Sequence, residues 1–191
     1  MFIEDENIPL ILFEDFIEPE LGYDLLRYFK TVSNLQPDEY VLYGKKVKSP
    51  RLTVFYGTGS YSYSGQKKKG QKFDEVLKSV STKVEKKLSL PKNYLNGCLL
   101  NLYRDGNDSI AYHKDDEKDM SSDTLVVVLS LGAERTFCLK SDEDGTNQKM
   151  KLLPNSLVVM NPICQEKFKH SIPKEIKIKE ERMSLTFRNF K

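Results

Sequence analysis

The sequence lacks the features that carry a chain into or across a membrane. No apolar run in its 191 residues comes near the roughly 18 residues that a membrane-spanning helix needs. The first residues, MFIEDENIPLILF, carry acids where a secretory signal peptide carries basic residues. We therefore expect an intracellular protein with no membrane partner, and the length suits a single domain.

Cysteine is scarce as well. The chain has three cysteines, Cys98, Cys138 and Cys164, which lie far apart. An odd number of widely spaced cysteines does not make a disulfide framework, and no pair has the spacing of a zinc site. We expect three reduced thiols that are mostly buried.

Acidic residues are missing from one long stretch, residues 45–72, which carries a net charge of +8. The rest of the chain is acidic, because the whole chain carries only +2. Aromatic residues are interleaved with these cations: Phe55, Tyr56, Tyr61 and Tyr63. Such a mixture suits a phosphate backbone with stacked bases. A solvated, lysine-rich surface around one buried strand is an equally good interpretation.

Hydrophobic periodicity predicts two helices followed by short strands. The first helix begins near Pro19 with an apolar stripe of Leu21, Leu25, Leu26 and Phe29, and the second covers residues 73–88. Runs typical of strands follow at 98–103, 125–131, 136–139, 156–160 and 183–187. Residues 51–63 resemble an earlier pair of strands, joined at 57–59 in front of a barrel. This order predicts a mainly β fold of the α+β class, a jelly roll with flanking helices.

The chain has only two histidines, and one of them opens the triplet His113-Lys114-Asp115. Residues two apart on a strand project to the same face, so the imidazole and the carboxylate could reach one metal ion. His170 follows 57 residues later. Two histidines and one carboxylate form the facial triad of non-haem iron(II) oxygenases. The triplet alone decides little, because a lone histidine in a β-rich chain is more often a core residue.

Two arginines near the end of the sequence could face the same pocket. Arg182 and Arg188 lie six residues apart and therefore point to one side of a shared strand. Buried guanidiniums are costly unless they meet an anion, and they bind carboxylates through paired hydrogen bonds. The two suit a dicarboxylate; arginines at a rim with surface acids are the alternative. Asn101 and Tyr103 also share a face and could complete a polar pocket.

Together these blocks resemble the AlkB family of oxidative demethylases over about residues 96–190. The blocks are, in chain order, 101–106, 113–117, 130–132, 135–137, 156–160, 170–173 and 182–188. The N-terminal half is similar to the eukaryotic branch of the family that repairs DNA. Residues 50–51, 56–57 and 61–65 resemble its nucleotide-recognition lid, and residues 41–51 resemble the finger hairpin of the duplex-acting member.

The resemblance implies one domain over residues 1–191, with N-terminal helices and the lid in 1–95 and a catalytic double-stranded β-helix in 96–191. It implies that iron(II) binds to His113, Asp115 and His170. It implies that 2-oxoglutarate, the cosubstrate used with O2, is held by Asn101, Tyr103, Arg182, Thr186 and Arg188. The implied substrate contacts are Tyr43, Gly44, Lys45, Tyr61, Ser62, Tyr63 and Asp116.

Two positions depart from the family pattern. Ser184 stands where many relatives have Asn, and Tyr43 stands where the duplex-acting relative has Phe. Tyr43 would be the wedge that fills the gap left by an extruded base, or simply an exposed aromatic in a turn. Asp116 would favour a positively charged base, or it is a surface acid or a partner of Arg104.

The implied activity is direct reversal of damage to N-alkylated DNA bases, 1-methyladenine and 3-methylcytosine, with release of formaldehyde. An RNA demethylase of the same family is the first alternative. A nucleic-acid-binding module without chemistry is the second, and hydroxylation of a protein is disfavoured by the basic segment. We expect a monomer whose partner is nucleic acid, with a nuclear location if the source is eukaryotic.

Overall fold

A computed structural model describes residues 2–4, 9–42, 44–57, 60–63, 66–117, 119–121 and 124–191, with the backbone alone at 2–4, 42, 60–63 and 66–69. These residues contain helices α1 (Pro19–Val32), α2 (Glu75–Lys87) and α3 (Pro162–Lys167). None of these helices is long and apolar enough to cross a membrane. The strands are β1 (Phe2–Glu4), β2 (Leu10–Phe13), β3 (Gln36–Leu42), β4 (Lys45–Gly57), β5 (Ser60–Tyr63), β6 (Gln66–Lys69), β7 (Gly97–Tyr103), β8 (Ile110–His113), β9 (Val126–Gly132), β10 (Arg135–Ser141), β11 (Asn147–Leu152), β12 (Leu157–Met160), β13 (Phe168–Ile172) and β14 (Arg182–Arg188).

The strands form two main antiparallel sheets and a small third one. The large sheet has the order β1-β2-β12-β9-β14-β7-β4-β3, and the small sheet has the order β11-β10-β13-β8. Strands β5 and β6 pair only with each other among the named strands. This confirms the predicted jelly-roll core with flanking helices.

The large sheet is apolar on both faces. Val127 and Leu129 of β9 belong to a buried cluster shared with the helices α1 and α2, whereas Val128 belongs to a second cluster shared with the small sheet. Alternate side chains of one strand therefore serve two cores, which explains the continuous apolar run in the sequence. Phe137 of β10 completes the core between the sheets, where the functional side chains also lie.

Both predicted helices are present. Pro19 occupies the first turn of α1, and the carboxylate of Asp74 caps α2 by accepting a 2.7 Å hydrogen bond from the Leu77 amide. The stripe on α1 is buried at Leu25, Leu26 and Phe29, each worth about 1.5–3 kcal/mol of burial energy. Leu21 was wrongly included in the stripe, because it is 41% exposed. The three cysteines are free and buried, as predicted.

Residues 51–57 and 60–63 lie on two strands, as predicted, but the first of these strands belongs to the large sheet and does not lie in front of the barrel. Strand β4 pairs with β3 and β7 inside the large sheet, and β5 pairs with β6, so the two strands flanking residues 57–59 are not partners. The N-terminal half thereby contributes β1, β2, β3 and β4 to the sheet that carries β7 and β14. The division of the domain at residues 95 and 96 stays a prediction.

Candidate active site

The two histidines lie opposite each other in the small sheet. His113 is the last residue of β8 and pairs in register with His170 of β13, and the ring centroids are 4.2 Å apart. Asp115 is not on the strand as predicted, because β8 ends at His113 and the carboxylate lies in the loop that follows. The loop nevertheless places the Asp115 carboxylate beside the two imidazoles. The side chains of the triplet therefore meet through a strand end and a loop rather than through strand periodicity.

The three side chains form a compact group of candidate metal ligands. One ligand atom of each lies within 4.8 Å of the others. The Nε2 atom of His113 is 3.8 Å from Oδ1 of Asp115, and the Nε2 atom of His170 is 3.6 Å from Oδ2. On the far side of its ring, Nδ1 of His113 lies 2.9 Å from the Ala111 carbonyl oxygen. A proton on Nδ1 satisfies that carbonyl and leaves Nε2 with a lone pair for a metal.

The electrostatics of the group suit a cation. Burial lowers the pKa of His113, and burial together with the neighbouring His113 lowers the pKa of His170 to about 3. Both rings are thus neutral at pH 7, the form that binds metal. Burial is the largest single influence and disfavours ionised Asp115. Arg188, the two histidines and Arg51 together outweigh burial and hold the pKa of Asp115 below its usual value. The donor set of two neutral imidazoles and one carboxylate fits iron(II).

Arg182, in contrast, suits an anion. Its side chain is 1% exposed, and Nη2 donates a 2.9 Å hydrogen bond to Ser130 Oγ. Nε and Nη1 are buried and have no hydrogen-bond partner among the described residues. Burial lowers the pKa of Arg182, and a guanidinium stays protonated in proteins. A buried cation with unused donors fits a carboxylate anion.

One pocket brings these groups together. Its lining includes all three members of the histidine–aspartate group and all five predicted 2-oxoglutarate contacts. The lining residues are Arg51, Leu99, Asn101, Tyr103, Ile110, His113, Asp115, Val128, Phe137, Leu152, His170, Ile172, Arg182, Ser184, Thr186 and Arg188. The roles assigned to individual residues stay predictions.

Arg51 lines the pocket, a position that the resemblance to the lid did not predict. It was grouped with the lid, yet it is only 4% exposed, and its Nε donates a 2.9 Å hydrogen bond to Oδ1 of Asn101. The amide nitrogen of Asn101 lies 3.4 Å from Ser184 Oγ, so the amide is held on both sides. Arg51 stands in the sequence among lysines that are exposed, and only its position on β4 opposite β7 distinguishes it.

The predicted substrate contacts are only partly described. Gly44 and Lys45 lie at the turn between β3 and β4, where Gly44 has a φ of +77°. Tyr43 lies outside the described residues, as do the side chains of the β5 residues Tyr61, Ser62 and Tyr63. Asp116 is exposed and directly follows Asp115.

Arg104 is not a partner of Asp116. Its guanidinium bonds to both carboxylate oxygens of Asp108, each at 2.9 Å, and to the Pro50 carbonyl oxygen. This pairing removes one of the alternative roles of Asp116 and leaves contact with a ligand or a plain surface position.

Known proteins resemble this chain in sequence and in fold. A model of the 2OG-Fe(II) oxygenase superfamily matches residues 9–188. Human "Alpha-ketoglutarate-dependent dioxygenase alkB homolog 3" is 32% identical over 151 residues, which are 74% of this chain and 52% of the relative. "DNA oxidative demethylase ALKBH2" of Arabidopsis thaliana is 29% identical over 175 residues, covering 77% of this chain and 55% of the relative. The chain thus spans about half the length of these two relatives.

Further similarities extend to a viral protein and to two solved structures. The RNA replication protein of Grapevine virus A is 31% identical over 163 residues, covering 84% of this chain and 9% of that protein. The structure of OsALKBH1 superimposes with a TM-score of 0.69 at 17% identity, over 97% of this chain and 100% of the other. A prolyl-4-hydroxylase from Pseudomonas putida gives 0.63 at 16% identity, over 97% and 94%, so these two support the fold alone. With the superfamily match over residues 9–188, the chain belongs to the 2OG-Fe(II) oxygenase superfamily and, within it, to the AlkB-family dioxygenases, which use iron(II), 2-oxoglutarate and O2.

Proposed function

We propose that the chain is an oxidative demethylase that removes methyl groups from 1-methyladenine and 3-methylcytosine in DNA and releases formaldehyde. The observation that carries the proposal is one pocket that holds both a metal-binding group and an unsatisfied buried guanidinium. His113, Asp115 and His170 offer ligand atoms for a cation, and Arg182 offers unused donors to an anion. A metal and a diacid cosubstrate are the pair of groups that this pocket needs.

His113, Asp115 and His170 would hold iron(II) in this pocket. Bound iron(II) supplies the oxidation of the methyl C–H bond by O2, coupled to decarboxylation of 2-oxoglutarate. The protein's part is to keep both imidazoles neutral and Asp115 ionised. Arg188 contributes by donating a 2.6 Å hydrogen bond to Asp115 Oδ1, which orients the carboxylate and leaves Oδ2 towards His170.

Arg182 would bind the carboxylate of 2-oxoglutarate that is remote from the keto group. The unused Nε and Nη1 lie on different edges of the guanidinium. The carboxylate would bind at one of these edges together with the remaining N–H of Nη2, whose other N–H donates to Ser130. Asn101, Tyr103 and Thr186 line the same pocket with an amide and two hydroxyls. Arg188 lines it too, but its guanidinium already bonds to Asp115 and Glu117, so its direct contact with the cosubstrate is the weakest of these assignments.

The substrate side of the proposal rests on charge. The methylated bases are cationic, and Asp116 is an exposed carboxylate next to the metal ligand Asp115. Lys45, Lys46 and Lys72 of the basic segment are exposed and available to phosphates. A base inside a duplex must be extruded before its methyl group can reach a buried centre. Tyr43, Tyr61 and Tyr63 would stack on or replace that base.

DNA is the first candidate polymer because the Arabidopsis relative is named a DNA oxidative demethylase. RNA is the second, because an RNA replication protein contains a segment 31% identical to this chain. A monomeric state and a nuclear location stay predictions.

The deciding experiment measures formaldehyde release with iron(II), 2-oxoglutarate and ascorbate. The substrates are one sequence carrying 1-methyladenine or 3-methylcytosine, prepared as matched DNA duplex, single-stranded DNA and RNA. A His170→Ala variant gives the background rate. Formaldehyde from DNA above this background supports the proposal, and faster release from RNA than from either DNA form transfers it to the second candidate. Tight binding with no formaldehyde above background contradicts demethylation and favours a binding module.

A further inference from the structure

Arg135 is a buried arginine whose bonds go to two loops rather than to the pocket. It is 1% exposed, and its Nη2 donates to the carbonyl oxygens of Asp108 at 2.8 Å and Pro173 at 2.7 Å. Nη1 donates to the Asp105 carbonyl oxygen at 3.2 Å, and Nε donates to Glu175 at 3.1 Å. One guanidinium thus spans the loop that precedes β8 and the loop that follows β13.

These two loops flank the strands that carry the histidines. Strand β8 ends at His113, and β13 contains His170. The strands pair at two positions, His170 with His113 and Ile172 with Ile110, with an irregularity between them. So short and irregular a ladder fixes the separation of the imidazoles weakly by itself. The hydrogen bonds of Arg135, at the end where β8 begins and β13 ends, would therefore help to align the two histidines.

Gly106 provides a second tie between the same loops. Its amide donates to the Ile178 carbonyl oxygen at 2.9 Å, and its carbonyl oxygen accepts from the Glu175 amide at 2.8 Å. A Cβ atom at position 106 would lie 1.8 Å from the Glu175 carbonyl oxygen. Only glycine therefore permits this approach, and any side chain there would push the loops apart.

The charge of Arg135 is already balanced, which separates it from Arg182. Glu175 accepts from Arg135 and also from the amide and hydroxyl of Thr136, both at 2.8 Å. A balanced guanidinium with four protein acceptors does not need a ligand. It does contact the pocket wall, because its central carbon lies 5.5 Å from the ring centroid of Tyr103.

We propose that Arg135 is a positioning residue that sets the separation of His113 and His170 by fastening the loop before β8 to the loop after β13. The inference rests on the proposed metal role of the two histidines. A lysine at this position would keep the charge but lose the planar fork that reaches both loops at once. Residues that orient metal ligands from outside typically change metal affinity by about 10- to 100-fold when they are altered.

The test uses Co(II) as the metal probe, with affinity and visible absorption spectrum measured well below each variant's melting temperature. Arg135→Lys is expected to weaken Co(II) binding by about 10- to 100-fold and to change the absorption bands, which report ligand geometry. Gly106→Ala separates the same loops in a second way and should have the same effect. Arg104→Lys is the matched control, because Arg104 bonds to Asp108 and Pro50 but does not reach the loop after β13.

Wild-type affinity and spectrum in a folded Arg135→Lys protein would overturn the inference. If Arg135→Lys does not fold, Gly106→Ala decides by the same two measurements. An equal loss of Co(II) affinity in Arg104→Lys would also overturn the inference. Any loosening of the loop before β8 would then weaken metal binding, whether or not it changes the contact with the loop after β13. Failure of the wild-type protein to bind Co(II) would remove the metal site itself, a result that is distinct from a failure of the variants.

Discussion

Arg188 donates a 2.6 Å hydrogen bond from Nη2 to Oδ1 of Asp115, across 73 positions of sequence. The same guanidinium donates to Glu117 through Nη1 at 3.1 Å. Both partners are almost fully buried, with side-chain exposures of 2% for Arg188 and 5% for Asp115. Strand β14 of the large sheet thereby holds the Asp115 carboxylate, which lies just after the end of β8 in the small sheet. The relationship makes Asp115 both a candidate ligand and part of the packing between the sheets.

Replacement of Asp115 by alanine should abolish turnover and sharply weaken iron(II) binding. The fold should persist, because Arg188 keeps its contact with Glu117, although loss of one partner of a buried ion pair costs about 3–5 kcal/mol of unfolding free energy. Formaldehyde release, metal titration and urea unfolding measure the three effects. Asp119→Ala, an exposed acid in the same loop, is the control. Undiminished turnover in Asp115→Ala would mean that the metal lies elsewhere.

Replacement of Arg182 by lysine should raise the 2-oxoglutarate concentration needed for half-maximal rate by about 10- to 100-fold, because a hydrogen bond between charged groups is worth roughly 1.5–3 kcal/mol and lysine loses the planar guanidinium. Co(II) affinity should stay at the wild-type value, since Arg182 is not a ligand. Ser130→Ala removes only the 2.9 Å contact that orients Arg182 and should give a smaller change of the same kind. An unaltered 2-oxoglutarate requirement in Arg182→Lys would refute the assigned role.

The acid stability of the protein should depend on Glu175. Burial would raise the pKa of Glu175, but its bonds to Thr136 and Arg135 outweigh burial and lower it from 4.5. A carboxylate with a lowered pKa in the folded state adds stability that is fully present above 4.5 and lost as the pH falls through the folded value. Glu175→Gln should be less stable than the wild type at pH 7, and the difference should shrink in acid. Urea unfolding across that range measures it, and a constant difference would contradict the prediction.

The exposed lysines at the β3–β4 turn should act on nucleic acid and not on the chemistry. A Lys45→Ala, Lys46→Ala double variant should weaken binding of methylated DNA and reduce the magnitude of its salt slope by about 2, roughly one for each lost phosphate contact. Consumption of 2-oxoglutarate without DNA should not change. Lys83→Ala with Lys86→Ala, on the exposed face of α2, is the matched control. An equal loss in the control would indicate a general charge effect.

Local patterns in the sequence were sufficient for the parts of the fold that depend on short-range order. The apolar run of β9 and the capped, periodic α2 were predictable because one strand or one helix face determines each of them. Strand β3 was missed, since it contains Pro37, Asp38 and Glu39 and is stabilised by pairing with β4. The tendency to form a strand depends on such cross-strand partners, so the residue types of β3 alone do not show it.

The site was predictable in composition but not in construction. Two histidines, an acid and two arginines stood out as types, yet the strand that was expected to carry Asp115 ends at His113. Arg51 and Arg135 could not be distinguished from surface cations, because their burial follows from sheet pairing and from loops that meet only in the folded chain. Residue types indicate the chemistry of the site, whereas the contacts that support the site depend on how the strands and loops are arranged in the fold.

The pairing of His113 with His170 across neighbouring strands limits how the gene can vary. Side chains on a strand alternate between faces, so one inserted or deleted residue within β8 or β13 would turn an imidazole to the outer side of the sheet. Point substitutions in these strands can weaken the site by degrees, whereas a change of strand length removes an imidazole from the site altogether. The exposed turn around Gly145, which joins β10 to β11, is free of that constraint and is where natural length variation should accumulate.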